Sequence, residues 1–477
     1  MLKKGNFCRR KGALASAFSL KSFLQKFAVA FSTLALCAVG ANPSFDLSQF
    51  HAQLTSSSFV SKDFQTQGSY QFGWLGNFGN NSTSYSADLN SVLSLGIGCV
   101  SCSFFEISNA QFEKGIVRGQ NQFLRVGIGR KHLRWASIDD QWNLGLLNPR
   151  FRNDEIQPMQ SGLVGSWLRY GDERFSAEFF ASGLYIPERG ASISTDNGNL
   201  RSDSPWFVEP PRELVFLDQS TPLKYYPQIP PASKIVQQPS LGLATSALLW
   251  HGASLKVFAI DKPLNQLALS YSAYLDLSNL SATVELYPRV LRHTLVGAEL
   301  SQTIAQSRIA ISVIQEKLRE VLQDLPRGST EQIFAPANLF SIDLSQRATF
   351  SNAMNVELGA HALYIQKEND IDRGSFVEGD TVSIFPDRFL FRSAMMFEFK
   401  LSIPLALQRD SANFKVSYTR DLKYESEMMS LVSEYVLGKN YFFALQGDFL
   451  AAKKEQDGFV GQFRSNDRVT GSLKYVF

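Results

Sequence analysis

The chain has 477 residues, with 47 Lys and Arg against 44 Asp and Glu and a mean hydropathy of −0.11. Seven of the basic residues and no acid lie in residues 1–41, so the remainder carries 40 against 44, a formal −4. That balance excludes a basic nucleic-acid-binding surface, and no run reaches the ~20 apolar residues of a membrane-spanning helix.

Lys3, Lys4, Arg9, Arg10, Lys11, Lys21 and Lys26 precede an apolar run over residues 27–40 that ends Val39-Gly40-Ala41 before Asn42-Pro43. A basic region, a short apolar stretch and small residues at −3 and −1 predict a secretory signal peptide cleaved between Ala41 and Asn42. Cys37 fits a lipoprotein site poorly, because Leu36 stands where a small residue belongs. Residues 42–84 are expected to form a periplasmic or lumenal segment, with one further strand in 69–78. That is too little chain for the plug domain of an energy-coupled transporter.

From Tyr85 onward, segments of about ten residues alternate apolar and polar side chains, the pattern of transmembrane β-strands. The predicted strands are 85–98, 101–114, 122–135, 161–171, 174–186, 240–250, 254–260, 266–276, 280–288, 293–304, 308–315, 340–350, 354–366, 388–404, 412–424, 427–435, 441–450 and 468–477. The expected count is therefore about 18, within 16–18. Every long connection (136–160, 187–239, 316–339, 367–387 and 451–467) falls on one side, as outer loops do in such barrels. Ile314, Leu318, Val321, Leu322 and Leu325, ending at Pro326, predict a short helix within an outer loop. The fold class is all-β: a transmembrane antiparallel up-and-down barrel with long extracellular loops, over residues 85–477.

Cys99 and Cys102 are the two cysteines left after the leader. In an oxidising compartment a C-x-x-C pair at a strand turn points to a local disulfide. Unpaired small apolar residues and redox or metal chemistry are the alternatives, the redox reading lacking the βαβ context it needs.

Strand parity turns Lys131, Glu357, Arg392, Glu398, Lys400, Lys415, Thr419 and Asp421 away from the apolar face, making them candidate pore-lining residues. Phe389 and Phe391 group with Met395, Phe397 and Phe399 on the outward set. Two outer loops offer a constriction: one through Asp139 and Asp140, the other, rich in prolines, through Trp206, Phe207, Tyr225 and Tyr226. Loops this long are usually functional or disordered; the alternative for both is an external surface, where charges meet each other or lipopolysaccharide. His51, His132, His251, His293 and His361 form no nucleophile, metal or hydrolase motif, so no catalytic, cofactor or metal residues are assigned.

The last ten residues alternate Val469, Gly471, Leu473, Tyr475 and Phe477 against Arg468, Thr470, Ser472 and Lys474. This strand resembles the insertion signal of Gram-negative outer-membrane β-barrels. The resemblance implies an outer-membrane location and recognition of Tyr475 and Phe477 by the barrel-assembly machinery. Gly129-Arg130-Lys131 leading to Trp135, then Asp139, Asp140 and Asn148-Pro149, resembles the early barrel segment of porin-like families, including alginate-export-type channels. The reading is a porin-type channel for passive diffusion of small hydrophilic solutes. Its partners are outer-membrane lipid and lipopolysaccharide, and no cofactor is expected. The alternatives are a barrel-anchored adhesin or receptor and, behind it, an outer-membrane hydrolase. Assembly as a homotrimer is left open.

Overall fold

The computed structural model describes residues 50–59, 65–79, 85–97, 99, 101–118, 122–216, 218–276, 278, 281–319, 325–350, 353–374, 381–385, 387–405, 410–438, 440–453 and 458–476. The expected signal peptide with its Ala41/Asn42 junction, and Phe477, lie outside the described residues.

Eighteen strands form one sheet: β1 Phe50–Phe59, β2 Gln65–Gly79, β3 Tyr85–Ile97, β4 Phe104–Arg118, β5 Gln122–Lys131 and β6 Leu163–Asp172. The wall continues with β7 Phe175–Ser182, β8 Ser240–Trp250, β9 Ala253–Pro263, β10 Arg292–Ile304, β11 Ser307–Arg319 and β12 Ala337–Thr349. It ends with β13 Asn355–Lys367, β14 Ser393–Pro404, β15 Ser411–Asp421, β16 Ser426–Leu437, β17 Tyr441–Ala452 and β18 Arg468–Val476. Each strand pairs antiparallel with the next. β18 then pairs with β1, from His51↔Val476 to Phe59↔Arg468, and the ring of described strands has no free edge. Closure satisfies the strands' backbone groups within the wall, a requirement of hydrocarbon surroundings.

Side-chain parity separates two media. On the outside stand Leu54, Tyr70, Leu95, Phe112, Ile128, Leu168, Leu243, Ile342, Phe397, Leu445 and Leu473, all exposed apolar residues. A water-soluble sheet could not leave so many large apolar side chains uncovered around its whole circumference; a lipid-facing wall requires it. The chain is an outer-membrane β-barrel. The short connections, such as 173–174, 251–252 and 305–306, lie at one end. The long ones, 132–162, 183–239, 264–291, 320–336, 368–392 and 453–467, lie at the other, the outer end.

The strand count agrees with expectation through two compensating differences. The wall begins at Phe50, so residues 50–59 and 65–79 are two wall strands where a lumenal segment with one strand was expected. The partner of β18 is therefore β1 and not residues 85–98. Conversely, residues Ala268–Asp276 and Ser281–Arg289 leave the wall and form a hairpin in a second sheet. Alternation reports a strand between unlike surroundings, and the second sheet supplies those as well as lipid does. β9 and β10 pair directly from Pro263↔Arg292 onward, which leaves the hairpin outside the ring. Over 314–319 the expected helix is instead the end of β11, which runs through Arg319; its continuation over 320–324 lies outside the described residues. Its spacing of four is also an even number, and Ile314, Glu316 and Leu318 share one face of a strand as readily as of a helix.

The second sheet has seven strands drawn from four outer connections: Glu213–Phe216 and Gln219–Pro227, the hairpin Ala268–Asp276 with Ser281–Arg289, Thr330–Ile333, and Ile371–Gly374 with Thr381–Val382. It forms a canopy of loop origin on the outer side. Below it, inward residues of the wall and folded-in loops share one apolar core. Trp167, Phe180, Phe258, Ile260, Leu295, Ile314, Leu339 and Leu363 of the wall pack with Leu133, Trp135, Ile138, Trp142, Leu146, Leu147, Trp206, Phe389, Phe391, Phe459 and Phe463 of the connections.

Candidate functional site

The lumen is narrowed by segments that the sequence anchors individually. Residues 132–162 fold inward around the short helix Ser137–Trp142. Its Asp139 carboxylate is buried and accepts the backbone N–H groups of Leu146 and Leu147, both at 2.8 Å. Burial pushes the Asp139 carboxyl up against those two bonds. Asp140 is raised to about 6, chiefly by burial and then by Asp139 beside it. The loop is tied to the wall where Glu299 Oε2 accepts the Ser137 N–H at 2.8 Å and Glu178 accepts both Trp135 Nε1 at 3.0 Å and Lys131 Nζ at 2.7 Å. Near the end of β5, Gly129 has a φ of +130°, and a Cβ there would lie 2.1 Å from the Ala110 carbonyl oxygen of β4, so this position requires glycine.

The proline-rich connection enters at Asp203–Trp206. Cys99 and Cys102 are joined by a disulfide across the outer turn between β3 and β4. The Ser101 N–H of that turn donates to the Asp203 carboxylate at 3.1 and 3.2 Å. Trp206 is then buried against Phe59 of the wall and against Phe459 and Phe463, with ring centroids 6.4, 6.2 and 5.4 Å away. Phe207 is next to it in the chain and half-buried. Tyr225 and Tyr226 belong to the canopy strand Gln219–Pro227. A third segment docks through Arg388, whose guanidinium is paired with the buried Glu316 carboxylate of β11 and lies 4.5 Å from the Phe389 ring. Phe389 and Phe391, expected outside, are therefore buried inside the lumen, because the strand starts only at Ser393.

The candidate pore-lining residues separate into two sets. Glu357, Glu398, Lys400 and Lys415 form one inward row across β13–β15, with Lys400 Nζ 2.8 Å from Glu357 and 3.1 Å from Glu398, and Lys415 Nζ 2.8 Å from Glu398. Lys131 is a separate lumenal cation, 2.7 Å from Glu178 and 4.8 Å from the Trp167 ring. Arg392, Thr419 and Asp421 are buried. Asp421 accepts the N–H groups of Arg392, Lys423 and Tyr424 at 3.1, 2.8 and 3.1 Å, so it organises the outer rim of β14 and β15.

Opposite interior chemistry lies at the seam. Beside β1, β2 and β18, between the wall and residues 151–159 and 204–206, is a cavity of about 330 Å³. Its wall lining includes the neutral polar residues Gln53, Thr55 and Ser57 of β1, Gln67, Ser69 and Gln71 of β2, Ser94 of β3, Thr470 and Ser472 of β18 and Gln446 of β17, together with Phe59, Phe104 and Arg468. Sequence reasoning placed Thr470 and Ser472 on the polar face of the last strand but missed the β1 residues, because residues 50–59 were not assigned to the wall, although neutral polar residues at every second position from Gln53 to Ser57 carried the signal.

The described histidines form no shared site. His361 Nδ1 is 2.9 Å from Asp343 and His293 Nδ1 is 2.6 Å from Glu316, two separate pairs. His132 is lowered to about 4 by burial and by Arg134 and Arg130. Among the described residues no group of three His, Cys, Asp or Glu is placed to hold a metal.

No family model and no curated protein matches this chain. Among solved structures it is similar to Wzi of Escherichia coli, described as a carbohydrate-binding β-barrel involved in capsule assembly, at 10% identity and TM-score 0.43, over 95% of this chain and 88% of that one. It is also similar to OpdO of Pseudomonas aeruginosa, at 9% identity and TM-score 0.44, over 89% and 94%. For OmpT of Vibrio cholerae, in its trimer form, identity is 10% and TM-score 0.41, over 92% and 100%. Likeness at this level transfers no residue roles.

Proposed function

We propose that this chain is an outer-membrane channel of the porin type that admits small hydrophilic solutes by passive diffusion. The observation that supports it is the cavity of about 330 Å³ at the seam, bounded by polar side chains of the wall and by the inward loops. Barrels of 16–18 strands are wide enough to hold an aqueous path, and inward loops turn that width into a selective one. No energy coupling or cofactor enters this reading. Purified protein in planar bilayers is expected to give discrete single-channel steps; a silent membrane overturns the proposal.

One observation favours a second reading, a barrel-anchored surface interaction protein. The canopy gathers four outer connections into one sheet and leaves Tyr226 and Tyr274 exposed on it. Loss of surface binding on removal of the canopy, with no conductance before or after, would replace the channel reading with this one.

A further inference from the structure

We infer that the seam cavity is a subsite for uncharged, hydroxyl-rich solutes, polyols and small saccharides, in preference to ions of the same size. The inference rests on the channel reading and narrows it to a solute class.

Its first ground is the register. Gln446, Thr470, Ser57 and Gln67 stand side by side on β17, β18, β1 and β2, and Ser472, Thr55 and Ser69 form the next row. Adjacent strands lie ~4.8 Å apart, so the wall is a continuous field of hydroxyl and amide groups. Such groups exchange hydrogen bonds with a polyol almost one for one. They do not replace the hydration of a full charge.

The second ground is charge. Asp154 and Arg468 are the charged side chains lining the cavity, and they face each other at 2.5 Å. Arg468 also pairs with the buried Asp448 at 2.7 Å. The guanidinium is thereby engaged twice and offers an incoming anion little attraction. The charged row from Glu357 to Lys415 lies on β13–β15, outside this lining.

The third ground is an unmet hydrogen bond. Ser94 Oγ lines the cavity, is 1% exposed and has no hydrogen-bond partner among the described residues. A buried hydroxyl in that state is uncommon; it is closed to solvent beside the cavity, so a change of rotamer would bring it to a solute hydroxyl. Phe59, Phe104, Phe151, Met159, Pro205 and Trp206 give the cavity an apolar side, suited to the C–H face of a sugar.

The full-length mature protein in vesicles tests this by swelling rates in glucose, in gluconate (an anion of similar size) and in glucosamine (a cation). Glucose is expected to enter at least about fivefold faster than gluconate, and Ser57→Asp to shift the preference toward glucosamine. Arg174→Ser, in the exposed short turn between β6 and β7 and away from the lumen, should leave the glucose-to-gluconate ratio unchanged. Equal rates for glucose and gluconate, or no response to Ser57→Asp, overturn the inference while leaving the channel standing. In detergent, glucose should also shift the tryptophan emission saturably in wild type and not in Trp206→Phe. An unshifted wild type removes the subsite. A shift accompanied by no flux of any solute keeps the subsite and removes the channel.

Discussion

Asp140 lies between a buried carboxylate, Asp139, and the cations Arg134 and Lys256, within a loop that the fold draws into the lumen. Its carboxyl is raised from 3.8 to about 6, first by burial and then by Asp139. The folded protein therefore holds a proton near pH 5 that the unfolded chain has already released. Stability from this group is present below the unfolded pKa and is lost as pH rises through the folded one, between roughly 4 and 6. Asp140→Asn should gain on wild type across that window, so the difference in denaturation midpoint is expected to widen from pH 4 to pH 7 and then stay constant. A difference that does not change with pH would show that Asp140 titrates normally. At this scale the sequence was informative about direction and silent about depth. Parity alone turned Glu398, Lys400 and Lys415 inward, where they pair. It also turned Arg392, Thr419 and Asp421 inward, but whether such a residue meets water or a folded loop depends on chain distant in sequence.

Among the elements, β18 joins the two ends of the described wall. Leu473 faces lipid, between Leu54 of β1 and Phe443 of β17. A guanidinium on that face must be taken into hydrocarbon, at about 2–4 kcal/mol near the midplane. Leu473→Arg is expected to lose that much in equilibrium unfolding from vesicles, measured in urea. Ser472→Arg, one residue away and facing the lumen, should cost much less; equal losses would contradict the assigned faces. The alternation of Val469, Gly471, Leu473 and Tyr475 was legible because a period of two is a local property of the backbone. The placement of Ala268–Asp276 and Ser281–Arg289 was not. Nothing within a strand records which neighbour it pairs with, and pairing is what separates a wall strand from a canopy strand.

For the molecule as a whole, the canopy is peripheral to the ring, since β9 and β10 pair along their length without it. Loop-closure entropy grows slowly with length, so replacing residues 268–289 with a short Gly-Ser turn should leave a barrel that inserts and keeps its heat-modifiable mobility on gels. Failure to insert would mean that the canopy is part of the folding unit. The sequence by itself determined the strand period, the apolar exterior and the sorting of short and long connections, all set by local stereochemistry and by the contrast between lipid and water. Tertiary structure alone decided that residues 50–59 close the ring, that Trp206 and Phe389 enter it, and that the neutral seam differs from the charged arc of β13–β15. Those outcomes depend on contacts between segments far apart in the chain, as between Phe59 and Trp206, or Glu316 and Arg388, and no local pattern encodes such a meeting.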